Sequence, residues 1–247
     1  MSEENDFESL LKDAQEKHLE FRSALRKAVA ASRKKGRLPK FIMGHDGKRI
    51  SIPQAKLDGC KVIGDRKDII RQLPGDGVAI EVGTQAGLFA EFILTTHANI
   101  KLIVVDMNYA PFRYDLLNPY IEAGRLSPIE GTSWVELSKF PDEHFDWIYI
   151  DASHMYDHVR QDLEMAKSKV KVGGHIICND YTGWSPLEGD PYGVLQAVNE
   201  FVVSENFEVT HLSLDGWGYH DIAMQRLPDN GATGDYLESI LRNIRNS

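Results

Sequence analysis

The stretch from Val78 to Gly87 constrains this chain more than any other. Val78-Ala79-Ile80-Glu81-Val82 is an apolar run broken by one acid, and Gly83-Thr84-Gln85-Ala86-Gly87 follows directly. Leu88, Phe89, Phe92 and Ile93 then fall on one helical face. This pattern predicts a buried strand, a tight glycine turn and an amphipathic helix. Glycine lets the backbone come close to a ligand, and the start of a helix offers N–H groups with no partner inside the helix. Taken alone, the turn serves equally well as a packing turn, so the rest of the chain has to decide its meaning.

Downstream, strands and helices alternate. The pattern predicts strands over 78–82, 101–106, 127–130, 145–151, 175–180, 207–214 and 219–226. Helices are expected over 86–95, 111–123, from 133, over 156–169 and over 192–204. Such alternation predicts an α/β fold: a doubly wound, seven-stranded, mostly parallel sheet with helices on both faces. Only Asp215-Gly216-Trp217-Gly218 separates the last two strands, too few residues for a crossover helix, so the last strand is expected to be antiparallel.

Ahead of this domain, residues 4–35 read as one long amphipathic helix, with Phe7, Leu10, Leu11, Ala14, Phe21, Leu25 and Ala28 on a stripe. The helix could pack on its own domain, act as a lid, or serve as an arm for a homo-oligomer, and the sequence does not separate these. Residues 38–64 read as irregular, with a short hairpin across Asp46-Gly47. Asp65 is placed to cap a helix that Pro74-Gly75 stops. The chain therefore divides into an extension over 1–63, the α/β domain over 64–228 and a tail over 229–247. The tail carries a short helix with Leu237, Ile240, Leu241 and Ile244 on one face.

Composition excludes several classes. The net charge of -9 and the lack of a dense basic patch disfavour a nucleic-acid partner. No apolar run approaches a membrane span, and the acidic N-terminus is unlike a signal peptide. Cys60 and Cys178 lack any paired spacing, which suggests a reducing compartment. The expectation is a cytoplasmic protein acting on a small molecule.

In open α/β sheets, ligands bind beyond the carboxyl ends of the strands. Here those ends are Gly83 to Gly87, Asp106-Met107, Gly131-Thr132-Ser133, Asp151 to His154, and Asn179-Asp180-Tyr181. Five consecutive strands thus bring polar or glycine residues to one rim. Asp106 lies 23 residues after Gly83, a position suited to accepting hydrogen bonds from ribose hydroxyls. Met107 can lie against an adenine face. A dinucleotide site is the competitor, but Gln85 stands where its fingerprint requires a second glycine.

With these residues in hand, the chain from about 64 to 227 resembles class I S-adenosylmethionine-dependent methyltransferases, with a Rossmann-like core. Among these it is similar to metal-dependent small-molecule O-methyltransferases of the catechol and macrolide-sugar types. Glu81-Val82-Gly83-Thr84-Gln85-Ala86-Gly87 resembles their first motif, and Asp106-Met107 their acid and its adenine-contacting neighbour. Gly131-Thr132-Ser133 resembles the turn beside the adenine. Asp151-Ala152-Ser153-His154 and Asn179-Asp180 resemble the metal-site segments, and Gly193-Val194 to Phe201 the helix that follows. The resemblance implies that Glu81, Gly83, Thr84, Gln85, Gly87, Asp106, Met107, Thr132, Ser133 and Asp151 bind S-adenosylmethionine.

Chemistry adds a metal and a base. Asp151, Asn179 and Asp180 are hard oxygen ligands at neighbouring strand ends, a set suited to Mg²⁺. Such an ion lowers the pKa of an acceptor hydroxyl and orients its oxygen. His154, three residues after Asp151, is expected to act with it in catalysis as the general base. Histidine, where the catechol type carries lysine, points towards sugar or other alcohol hydroxyls. The competing readings are a metal-independent methyltransferase of the same fold, a nicotinamide-dependent oxidoreductase, and a non-catalytic cofactor-binding protein.

Overall fold

A computed structural model describes residues 2–35 and 49–228. The expected hairpin at Asp46-Gly47 and the tail helix fall outside the described residues. The chain divides into two units, Met1–Asp46 and Gly47–Ser247. In the first, helix α1 spans Ser2–Arg33, close to the predicted stripe.

The second unit is built on one eight-stranded sheet: β1 (Lys61–Ile63), β2 (Asp76–Val82), β3 (Asn99–Asp106), β4 (Leu126–Glu130), β5 (Phe145–Ile150), β6 (Val170–Cys178), β7 (Phe207–Ser213) and β8 (Ile222–Arg226). Across the sheet the order is β1-β7-β8-β6-β5-β2-β3-β4. The strand β8 is antiparallel to β6 and β7, and all other pairs are parallel.

Seven strands were expected, and the eighth is a correction. Lys61–Ile63 pairs in parallel with His211–Ser213 at the sheet edge, so the sheet begins before residue 64. Its three residues are too few to show a period, and Val62 is exposed. A second difference concerns the strand expected over 175–180, which starts earlier, at Val170, and takes in Gly173-Gly174. Both lie inside β6, opposite a shift of register between Phe145 and Trp147.

The helices are α2 (Arg66–Gln72), α3 (Leu88–Thr96), α4 (Tyr114–Glu122), α5 (Ser133–Ser138), α6 (Tyr156–Lys169) and α7 (Val194–Ser204). Asp65 caps α2 as expected, its Oδ1 accepting from the Lys67 amide at 2.7 Å. Alternation along the strands assigns the two faces. Ile80, Val82, Ile148, Ile150 and Ile176 pack with Val159, Leu163, Ala166, Val198 and Val202 of α6 and α7. Ala79, Trp147, Tyr149 and Ile177 face the other way, with Ile69 and Ile70 of α2 and Ile93 and Leu94 of α3. Each such buried side chain contributes about 1.5–3 kcal/mol relative to exposure.

Ladder bonds carry this order to the strand tips. The Gly83 amide donates to Val105 O at 2.8 Å, Asp151 to Val82 O at 2.7 Å, Asn179 to Ile150 O at 2.9 Å and Gly131 to Asp106 O at 2.9 Å. The five tips of β2, β3, β4, β5 and β6 are thereby held in mutual register, and their side chains form one rim.

Candidate active site

After β2 the backbone turns sharply. Gly83 has φ 86°, Gln85 φ 48° and Gly87 φ 78°, and the Gly87 amide closes a turn onto Thr84 O at 2.8 Å. Left-handed backbone is accessible to glycine and costs Gln85 on the order of 1–2 kcal/mol. The glycines serve packing. A Cβ on Gly83 would fall on the Asp151 and Ala152 backbone, and one on Gly87 would fall on Leu117 and Phe112. The close approach is to the β5 tip and to Leu117 and Phe112, while Gly83 itself borders the cavity that the turn lines.

The turn is pinned by Asp106 at the tip of β3. Its Oδ2 accepts from the Thr84 amide at 2.9 Å and the Gln85 amide at 2.7 Å, and Oδ1 accepts from the Asn108 amide at 3.0 Å. Thr84 is buried and donates to Glu81 Oε2 at 3.2 Å. Glu81 is itself buried, and desolvation with the neighbouring Asp151 charge pushes its carboxyl well up.

These residues line a cavity of about 730 Å³ together with Gly83, Gln85, Phe89, Met107, Gly131, Thr132, Ser133, Asp151 and His154. Met107 is 70% exposed at its mouth. Gly87, included in the expected set, acts from behind the turn as the N-cap of α3.

A second cavity, of about 740 Å³, adjoins it. Asp180, Glu188, Tyr192, Asp215, Tyr219 and Asp221 are among its lining residues. Arg66, Asp151 and His154 line both cavities and mark where they meet.

His154 occupies that junction. Its Nε2 stands 3.7 Å from Asp151 Oδ1 and 3.5 Å from Asp180 Oδ2, and its ring stacks on Tyr192 with centroids 4.4 Å apart. Nε2 is buried with no hydrogen-bond partner among the described residues. Burial opposes the imidazolium charge, but Asp151, Asp180 and Glu188 outweigh it and raise the pKa. Asp180 is pushed up to about 6 by burial, against the opposing pull of His154. It is also held at φ 54°, a strained position for a residue with a side chain. His158 lines the first cavity, its Nδ1 2.9 Å from Ser153 Oγ.

The expected metal ligands Asp151, Asn179 and Asp180 all line the second cavity. Asp151 and Asp180 flank one buried nitrogen without a hydrogen-bond partner, and two such carboxylates suit a divalent cation that takes water and substrate oxygens as its other ligands. Asn179 is buried, and its amide nitrogen donates to Asp221 Oδ1 at 3.2 Å. Among the described residues, no group of three or more His, Cys, Asp or Glu side chains is disposed to hold a metal ion.

Three residues near the junction were not anticipated from sequence. Asp221, 1% exposed, accepts from the Tyr149 hydroxyl at 2.6 Å and is pushed up to about 7 by burial. Arg66 reaches Tyr149 Oη at 3.3 Å and Asp151 Oδ2 at 3.4 Å. Tyr149 was hidden in an apolar run. Asp221 precedes an antiparallel strand, whose N-terminal end lies at the rim, so a search of carboxyl ends passes over it. Nothing local sends Arg66 to the rim except its place directly after a helix cap.

Residues 80–181 match the family model described as a methyltransferase domain. No curated protein matches the chain. Among solved structures it is similar to an O-methyltransferase family protein from Burkholderia thailandensis, with TM-score 0.52 and 16% identity over 66% of this chain and 56% of that one. It is similar too to an O-methyltransferase family 2 protein from Planctomyces limnophilus in complex with apigenin, with TM-score 0.51 and 16% identity over 64% and 56%. A third is 1,6-didemethyltoxoflavin-N1-methyltransferase from Burkholderia thailandensis, with bound 1,6-didemethyltoxoflavin and S-adenosylhomocysteine, at TM-score 0.51 and 14% identity over 66% and 76%. The chain spans little more than half the length of the first two. The fold is that of the class I S-adenosylmethionine-dependent methyltransferases.

Proposed function

We propose that this chain is an S-adenosylmethionine-dependent O-methyltransferase acting on a hydroxyl of a small molecule, such as a sugar-bearing metabolite. The observation that carries this reading is the meeting of two cavities, about 730 and 740 Å³, at Asp151, His154 and Arg66. Methyl transfer requires a donor sulfonium and an acceptor oxygen to reach one point in line, and two adjoining cavities meet that need. Gln85 lines the first cavity where a dinucleotide fingerprint carries glycine, which favours a ligand without a pyrophosphate.

In this reading Asp106 accepts from the ribose hydroxyls and Met107 covers the adenine. Gly131, Thr132 and Ser133 border the same end, while Glu81 and Thr84 brace the turn. His154 takes the acceptor proton on Nε2, and its stack on Tyr192 holds the ring in plane. Asp151 and Asp180 stabilise the imidazolium that forms. The acceptor oxygen then takes the methyl group, and the C–S electron pair remains on sulfur as the neutral thioether. A Mg²⁺ held by Asp151 and Asp180, with Asn179 beside them, would acidify the hydroxyl. A second version, in which His154 works without a metal, rests on the place of Nε2 between Asp151 and Asp180.

Calorimetric titration with S-adenosylhomocysteine tests the reading. The ligand should bind, and Asp106→Ala should weaken it about 10- to 100-fold by removing charge-assisted hydrogen bonds. Binding of a nicotinamide dinucleotide in its place would overturn it. Transfer of a labelled methyl group to a panel of sugar-bearing and phenolic alcohols, with and without a chelator, then separates the two versions.

A further inference from the structure

We propose that Arg66 receives the methionine carboxylate of the cofactor, so that a residue outside every parallel strand tip completes the cofactor site. The proposal rests on the methyltransferase reading above and adds the partner for one specific group of its ligand.

The argument begins with charge. The amino-acid end of S-adenosylmethionine carries an ammonium, a sulfonium and a carboxylate. Asp106 and Asp151 line the cavity and attract the first two but repel the third. Among the described residues lining that cavity, Arg66 is the only Lys or Arg. A guanidinium is the group best matched to a carboxylate, through two parallel N–H donors.

Position agrees. With ribose at Asp106 on the β3 tip and adenine towards Met107 and the β4 tip, the tail has to run the other way, over the β2 and β5 tips. Arg66 waits at that end. Its guanidinium lies 4.5 Å over the ring of Phe89, which also lines the cavity. Such stacking orients the planar fork without using its donors. Both of its hydrogen bonds run through Nη1 and are long, 3.3 Å to Tyr149 and 3.4 Å to Asp151, so the group is placed but not consumed. The capped start of α2 fixes its backbone.

The test compares two ligands by calorimetry: S-adenosylhomocysteine and its decarboxylated analogue, which keeps the amine and lacks only the carboxylate. The wild-type protein should prefer the first by about 10- to 100-fold, the range for a lost charge-assisted pair. Arg66→Gln should weaken S-adenosylhomocysteine by that factor and leave the analogue within about twofold, so that the preference collapses. Arg66→Lys, which keeps the charge but not the fork, should retain part of it. Equal losses for both ligands would show that Arg66 merely supports the fold, and undiminished S-adenosylhomocysteine affinity would equally overturn the proposal. Should Arg66→Gln fail to fold, an unchanged preference in Arg66→Lys, or none in the wild type, would overturn it. A wild-type protein that binds neither ligand would instead sink the methyltransferase reading itself.

Discussion

His154 lies between two carboxylates, and this placement governs how it can act. As a base it must be neutral, yet Asp151 and Asp180 favour its charged form. The folded pKa therefore lies above the ordinary 6.5, and the base becomes available only as pH rises through that higher value. The expected profile of kcat/KM rises with pH, with its midpoint above 6.5. Asp180→Asn should move the limb to lower pH by removing one stabilising charge. His154→Ala should abolish the limb and lower turnover by about 10²-fold or more, while S-adenosylhomocysteine still binds. A pH profile that survives His154→Ala unaltered would remove the histidine from the chemistry.

At the scale of the element, the glycine turn and the β5 tip behave as one piece. Gly83 donates to β3, and a Cβ added to it would overlap the Asp151–Ala152 backbone, so β2, β3 and β5 share one junction. Gly83→Val combines a left-handed backbone with overlap against main chain, which costs about 2–5 kcal/mol. Thermal unfolding without ligand should show Tm lower by roughly 5–20 °C. A normal Tm with lost S-adenosylhomocysteine affinity would mean that the glycine makes room for a ligand instead. The strand β8 makes a comparable contribution. Inserted antiparallel between β6 and β7, it directs its first residues to the rim, and Asp221 there holds both Tyr149 and Asn179.

At the scale of the molecule, buried ionisable groups set how stability responds to pH. Asp162 is 0% exposed on α6, and neither oxygen has a hydrogen-bond partner at bonding geometry among the described residues. Burial raises its pKa to about 6, with Ser133 the one neighbour that offsets it. The folded value exceeds the unfolded 3.8, so the folded state takes up a proton first. Wild-type stability then gains as pH falls from about 6 towards 4, and the ionised group is a liability above 6. His175, lowered to about 4 by burial and by His211, works in the opposite direction over the same window. Asp162→Asn isolates the acid. It should raise Tm at pH 7.5 by roughly 2–8 °C, and the advantage should shrink as pH falls to 4. A pH-independent difference would show that the carboxyl titrates in the folded protein as it does in the unfolded chain, and that burial does not raise its pKa.

The residue pattern by itself determined the alternating α/β architecture, the capped start of α2 at Asp65, and the gathering of Gly83, Asp106, Ser133, Asp151, His154 and Asp180 at one rim. Each of these follows from a local period or from the direction of parallel strands, information carried by residues close together in the chain. Tertiary structure decided the rest. The edge strand Lys61–Ile63 is defined by its pairing with β7, not by any period of its own. The partners of Asp151 and Tyr149 come from 85 and 72 residues away, at Arg66 and Asp221. The Cβ directions of Gly83 and Gly87 point at protein, because the atoms they would meet belong to Asp151, Ala152, Leu117 and Phe112. Such contacts depend on how the sheet is ordered across its width, and sequence spacing does not encode that order: β8 is last in the chain yet lies inside the sheet, which is why Asp221 reaches the site.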